Sequence, residues 1–240
     1  MSANPILDAV KQNERTQTIL ETAVGDFIKI GRPITSEYLY EEYDFGIKPA
    51  TIRLELNALS ELGYFFQTHP SGGRFPTNKA YRFFVEQTRA RIPENIAKNV
   101  MSLAREFLLD EKTSFLEDLA GQFSVASVVW GASGNAQSSN LSNLLGSVEA
   151  DKKNDLIGIV EDCEMLPERF GGLTEEFRDG ALPKVFVGKS SIAKSDCISI
   201  LTGNFFTDSG EFTLAIIGPK RMDYERSMAL FKSIQKVAKS

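Results

Sequence analysis

The residues from Ile47 to Arg82, IKPATIRLELNALSELGYFFQTHPSGGRFPTNKAYR, constrain this chain more than any other stretch. Their spacing predicts a helix, a tight return, a strand, a Gly-rich loop, a second strand and the start of another helix. Pro49 suits the first helical position, where its fixed φ is pre-set and its missing N–H would be unpaired anyway. Ile52, Leu56, Leu59 and Leu62 recur at helical spacing and predict a core face. Ala50, Arg53, Leu54 and Asn57 fall on the opposite face. Gly63 supplies a left-handed C-terminal cap, having no Cβ to clash. Tyr64–Phe66 is a short aromatic strand, and Ser71, Gly72 and Gly73 form a loop tip with Arg74 behind it. A helix with one non-core face followed by a small hairpin is the winged form of helix-turn-helix, whose second helix enters the major groove.

The flanking sequence fits that frame. Asn13 is placed to cap a helix over Glu14–Ile30, with Ile19, Leu20, Ala23, Val24, Phe27 and Ile28 as its apolar stripe. Gly31 and Pro33 end it. Thr35 caps a second helix, SEYLYEEY, with Glu37 in the first turn where the helix dipole favours it. Thr77 caps a helix carrying Tyr81, Phe84 and Val85 inward. Pro93 then opens one longer helix, PENIAKNVMSLAREFLLD, with Ile96, Val100, Leu103 and Phe107 at spacings of four, three and four. That stripe reads either as core or as a dimer seam, since operator-binding winged helices usually work in pairs.

From about Thr113 the pattern turns to mixed α and β. Ser124–Trp130, Val185–Gly188, Cys197–Leu201 and Phe212–Ile217 read as strands, with Asn204–Gly210 as a hairpin loop. GASGNAQSSN reads as a polar loop. Ser142–Val148 and Leu156–Met165 read as short helices, and Tyr224–Ala238 as a last helix presenting Met228, Phe231, Ile234 and Val237. The expected class is therefore α+β: a winged helix-turn-helix over 1–91, a linker helix over 92–112 and an α+β domain over 113–240.

The formal charge of −5 argues weakly against a nucleic-acid partner, so its distribution matters. From Gly46 to Arg91 there are seven cations (Lys48, Arg53, Arg74, Lys79, Arg82, Arg89, Arg91) against three acids (Glu55, Glu61, Glu86), a local balance of +4. Screening over about 8 Å hides the distant acids from a phosphate at this patch. The alternative is a scattered, solvated set of cations. The DNA-contacting set read from helix and loop is Lys48, Ala50, Thr51, Arg53, Leu54, Asn57, His69, Ser71, Gly72, Gly73, Arg74, Lys79 and Arg82. Dimer contacts, if the apolar stripes supply them, fall to Ile96, Val100, Leu103, Phe107, Met228 and Phe231.

Other chemistries fare poorly. His69 is the single histidine, so a catalytic triad or a His-based metal site would have to use a hairpin-loop residue. Cys163 and Cys197 lie far apart and outside any CxxC spacing, and read as reduced, buried thiols. Glu41/Glu42 and Glu175/Glu176 read as solvated surface. GASGN and KSSIAKS do not match the phosphate-binding G-x-x-x-x-G-K-[ST]. No cofactor, metal or enzymatic activity is expected. With no apolar run near about 18 residues and no secretory h-region in MSANPILDAVKQNER, neither a membrane partner nor export is expected, and the location is taken as cytoplasmic.

KPATIR, LGY, HPSGGR and PTNKAYRF, in that order and spacing, resemble the N-terminal domain of the HrcA family of bacterial heat-shock repressors. VVWGASGN and the Gly218–Tyr224 stretch GPKRMDY resemble that family's second, GAF-like domain. The resemblance covers about 13–91 and 113–240. It implies a dimeric repressor of chaperone operons on an inverted repeat of the CIRCE type, with chaperonin-dependent folding. This chain departs from the pattern in three places. Lys48 stands where the family usually has a capping Ser, and Leu54 where it tends to have Asn. The long segment that usually separates the linker helix from the GAF-like strands, a region implicated in dimerisation, is reduced to a few turns of helix. The resemblance is thus to a shortened form. A GAF-like domain also leaves open a repressor that senses a small molecule, or an interaction module that no longer touches DNA.

Overall fold

The computed structural model describes residues 13–69, 72–92, 94–109, 112–131, 136–139, 141–148, 153–171, 183–207 and 210–238. The chain divides into two compact units between Gln87 and Thr88.

In the first unit, α1 (Glu14–Ile30) begins where the Asn13 side chain accepts from the Thr16 N–H at 3.3 Å. It ends at Gly31, whose φ of 64° lets its N–H reach the Phe27 carbonyl at 2.9 Å. Thr35 caps α2 (Ser36–Glu42) through the Tyr38 N–H. In α3 (Pro49–Glu61) Ile52, Leu56 and Leu59 are fully buried, as their spacing predicts. Lys48 makes no side-chain cap, consistent with the loss of a hydroxyl there. The helix closes instead at its other end, where Gly63 at φ 77° allows a paired finish. The Gly63 N–H bonds Ser60 O and the Tyr64 N–H bonds Leu59 O, both at 2.9 Å.

Strands β1 (Phe65–Phe66) and β2 (Phe75–Pro76) pair antiparallel, and α4 (Asn78–Ala90) follows. Between α1 and α3, Glu55 accepts from Thr16 Oγ1 at 2.7 Å and from Arg15 Nη2 at 3.0 Å.

Asp26, 3% exposed, accepts from the hydroxyls of Tyr38 (3.1 Å) and Tyr43 (2.8 Å), tying α1 to α2. Burial, and then this bond, push the Tyr43 hydroxyl up to about 12. The folded state holds that proton more tightly than the unfolded chain. The resulting stability is complete below the ordinary tyrosine value of 10.0 and is lost as pH rises through about 12. Tyr43→Phe is expected to flatten the alkaline decline of the urea midpoint over that window. An unchanged decline would assign the titration to another group.

The second unit takes in the last residues of α4 from Thr88 and continues with α5 (Glu94–Asn99) and α6 (Met101–Leu108). Val100, at φ −105° and ψ 6°, interrupts what the sequence predicts as one linker helix. Helix α7 (Lys112–Phe123) follows, then β3 (Ala126–Gly131), β4 (Ala136–Ser139), α8 (Leu141–Ser147), α9 (Lys153–Gly171), β5 (Lys184–Val187), β6 (Ile198–Thr207), β7 (Gly210–Pro219) and α10 (Tyr224–Val237). The strands form one antiparallel sheet in the order β4-β3-β7-β6-β5.

Strand β4 lies inside the expected polar loop, where period-2 burial is too faint to read. Strand β6 continues through Asn204–Thr207 and β7 begins at Gly210, which pairs with Thr207, so the strand pairing reaches further into the expected hairpin loop. The GASGN segment from Ala132 to Asn135, Pro93 and Glu175/Glu176 lie outside the described residues.

Alternation along the strands covers both faces of the sheet. Ala126, Val128, Ile198, Ile200, Ala215 and Ile217 face α8 and α9, where Leu144, Ile159, Leu166 and Phe170 complete a core. The other face meets α6 and α10: the Phe205 ring lies 5.3 Å from Phe107 and 5.6 Å from Phe231. Here the structure corrects the dimer-seam alternative. Val100, Leu103, Phe107 and Met228 are fully buried and Phe231 is 1% exposed, while Ile96 is half-buried. A sheet with two apolar faces needs helices on both, and these stripes supply the second layer within the chain itself.

The GPKRMDY stretch shapes the entry to α10. Asp223 accepts from the Arg226 N–H at 2.9 Å, as its position predicts. The Tyr224 hydroxyl donates to Lys220 O at 2.6 Å and lies 2.7 Å from Ser199 Oγ.

Candidate nucleic-acid interface

The outward face of α3 carries side chains that lie outside the buried core of the first unit. Ala50, Arg53 and Asn57 are exposed, Thr51 is half-buried, and Lys48 stands exposed just before the helix. Leu54 is 66% exposed between Arg53 and Asn57, an apolar side chain on a polar face.

The hairpin is placed differently from the sequence reading. Arg74, expected to reach outward from a loop tip, is 5% exposed. Its N–H and C=O pair with Ile34 at 2.8 and 3.0 Å, adding a bridge from the α1–α2 turn beside the hairpin. Its Nη2 donates to Asn57 Oδ1 on α3. Burial, and then the neighbouring Arg53 charge, lower the Arg74 guanidinium pKa. Gly73 lies against Pro33 so closely that an added Cβ would sit 2.7 Å from its carbonyl carbon, oxygen and Cβ.

Lys79 is likewise committed. Its ammonium donates to Leu62 O at 2.6 Å, at the C-terminal end of α3, and sits 4.3 Å from the Tyr64 ring centre. Gly72 closes a turn on His69 O at 2.9 Å, and Gln67 Nε2 donates to Gly72 O at 2.7 Å. His69 and Arg82 are exposed, and Ser71 lies outside the described residues. The helix face is thus exposed, whereas Arg74 and Lys79, two cations of the expected DNA-contacting set, are bonded to Asn57 and to the Leu62 carbonyl of the chain itself. Sequence shows a cation after Gly-Gly or at a helix start; it does not show which carbonyl or amide the fold brings to it.

Among the described residues no group of three His, Cys, Asp or Glu side chains is placed to hold a metal ion. Cys163 packs beside the α9-side core, where burial pushes its thiol up to about 12. Asp162, 1% exposed on the same helix, is fully employed: it pairs with Arg169 and accepts the N–H groups of Lys194 (2.9 Å) and Ser195 (2.7 Å).

Residues 74–228, well over half the chain, match the family described as HrcA protein C terminal domain. The chain belongs to the HrcA family. It is similar to a heat-inducible transcription repressor HrcA of Roseiflexus castenholzii, with 46% identity over 80 residues, 33% of this chain and 22% of that one. The repressor of the same name from Natranaerobius thermophilus is 40% identical over 103 residues, covering 43% and 28% of the two chains. That of Acetivibrio thermocellus is 35% identical over 114 residues, covering 48% and 32%. The matches thus span between about a fifth and a third of these relatives' lengths. In overall fold the chain is similar to the crystal structure of a hypothetical protein at 2.2 Å resolution. The two superpose with a TM-score of 0.67 over 94% of this chain and 96% of that one, at 16% identity. No helix among the described residues of this HrcA-family chain is long and apolar enough to cross a membrane.

Proposed function

We propose that this HrcA-family chain is a cytoplasmic transcriptional repressor of heat-shock operons, not an enzyme. Its first unit is a winged helix-turn-helix and its second a GAF-like regulatory domain. The observation that carries this reading is the division of α3 into a buried face and an outward face with Arg53, Leu54 and Asn57 together. Three helices, a two-stranded hairpin and a helix in that order fit a module whose second helical arm enters the major groove. The names of the relatives supply the biological setting. Two copies would occupy the half-sites of an inverted repeat of the CIRCE type. Arg53, Leu54 and Asn57 would lie at base edges, and Lys48, His69 and Arg82 near phosphates. An exposed Leu54 favours contact with a thymine methyl over the bidentate adenine pairing that Asn makes.

Arg53→Ala tests the reading. Binding to the operator should weaken by about 1–3 kcal/mol while random-sequence DNA is held nearly as before. Titrations on both DNAs at one salt concentration measure this. Equal losses on the two would confine Arg53 to phosphate contact, and no loss on either would remove α3 from the interface.

A further inference from the structure

We infer that Arg74 is a positioning residue for sequence readout: without touching DNA, it turns the Asn57 amide so that its NH2 donors face the base edges and select a base-edge acceptor. The inference rests on the proposed reading of α3 and deepens it. A guanidinium carries five donors and no acceptor, so the amide oxygen, never the nitrogen, must face Arg74. The contact from Arg74 Nη2 to Asn57 Oδ1 therefore fixes the orientation of the amide. The nitrogen is left on the side away from the guanidinium, on an exposed residue.

Arg74 is itself immobilised. It is 5% exposed, its backbone is bonded in both directions to Ile34, and the preceding Gly73 is pressed against Pro33. The orientation of Asn57 is thus set by the hairpin and the α1–α2 turn rather than by solvent. An Asn free to rotate offers an acceptor and a donor side by side, which suits adenine N6 and N7. With its oxygen turned to Arg74, Asn57 presents donors, which suit purine N7, guanine O6 or thymine O4 and are mismatched to the N4 amino group of cytosine. Arg53 lies four residues away on the same helix face, so the two side chains address neighbouring base edges.

The experiment is selection of bound sequences from a randomised double-stranded DNA pool by the full chain, its Arg74→Met variant and its Asn57→Asp variant. Wild type should prefer acceptor-bearing edges at the base pair under Asn57 by about tenfold. Arg74→Met should reduce that preference to under about threefold at this base pair alone, since the amide is then free to turn. Asn57→Asp satisfies Arg74 with a carboxylate and offers only acceptors. It should shift the same base pair towards a cytosine-bearing edge, and it provides the test should Arg74→Met fail to fold. Uniform weakening by Arg74→Met with every base preference intact would overturn the inference and leave Arg74 a purely structural brace. So would changes by the two variants at different base pairs. A wild-type pool with no enriched sequence would overturn the DNA reading, and this inference with it.

Discussion

Gly73→Ala is expected to destabilise the hairpin end of the first unit by about 2–4 kcal/mol, far more than a methyl group at a loop position ordinarily costs. The new Cβ would lie 2.7 Å from three atoms of Pro33, two of them backbone and the third part of a rigid ring. None of these can swing aside as the end of a flexible side chain would. Relief requires separating the two segments, and the Ile34–Arg74 bonds at 2.8 and 3.0 Å hold them together. Breaking that bridge would also withdraw Arg74 from Asn57, leaving a buried guanidinium without that acceptor. Amide hydrogen exchange gives the measurement. The N–H groups of Ile34 and Arg74 should exchange about 30- to 1,000-fold faster in the variant, with those of β6 and β7 unaffected. Unchanged exchange at both amides would show that the approach of Gly73 to Pro33 is not maintained in solution.

Legibility in the sequence followed the range of the forces involved. Caps and periodic stripes act over four residues, so Asn13, Thr35, Gly63 and Asp223 can be read from the residues beside them. The outward face of α3 was legible for the same reason: Ile52, Leu56 and Leu59 fix one side of the helix and leave Arg53, Leu54 and Asn57 on the other. What the sequence concealed depended on partners distant in the chain. Arg74 bonds Ile34, forty residues earlier, and Lys79 finds a carbonyl freed by the end of α3. Strand β4 has no apolar alternation, and becomes a strand because β3 offers it an edge, with Val128 opposite Ser138 and Val129 opposite Gln137. The apolar stripes of α6 and α10 are legible as stripes. Their destination is not, because periodicity reports that a face is buried without naming what buries it.

That ambiguity is resolved by a large and measurable effect at Phe107. Phe107→Ala should destabilise the second unit by about 3–5 kcal/mol, through lost transfer energy and the cavity left between rigid neighbours. The ring is fully buried, edge-on to Phe115 at 5.1 Å and to Phe205 at 5.3 Å. The buried Lys112 ammonium lies 4.4 Å from the Phe107 ring centre and donates to the Phe107 carbonyl at 2.6 Å. Removing the ring therefore takes away an aromatic face that stabilises this charge, beside which the Phe212 ring centre also lies at 4.4 Å. Trp130, the single tryptophan, stands in β3, so its fluorescence in urea follows this unit and not the first. Protein concentration separates the two fates of the stripe. If Phe107 packs inside the chain, the loss in midpoint is the same at micromolar and at hundredfold higher concentration, because Phe107 then takes no part in any contact between copies. If it lined a seam between copies, the wild-type midpoint would climb with concentration and the Phe107→Ala midpoint would not. Its burial against Phe115, Phe205 and Lys112 of the same chain predicts the first result.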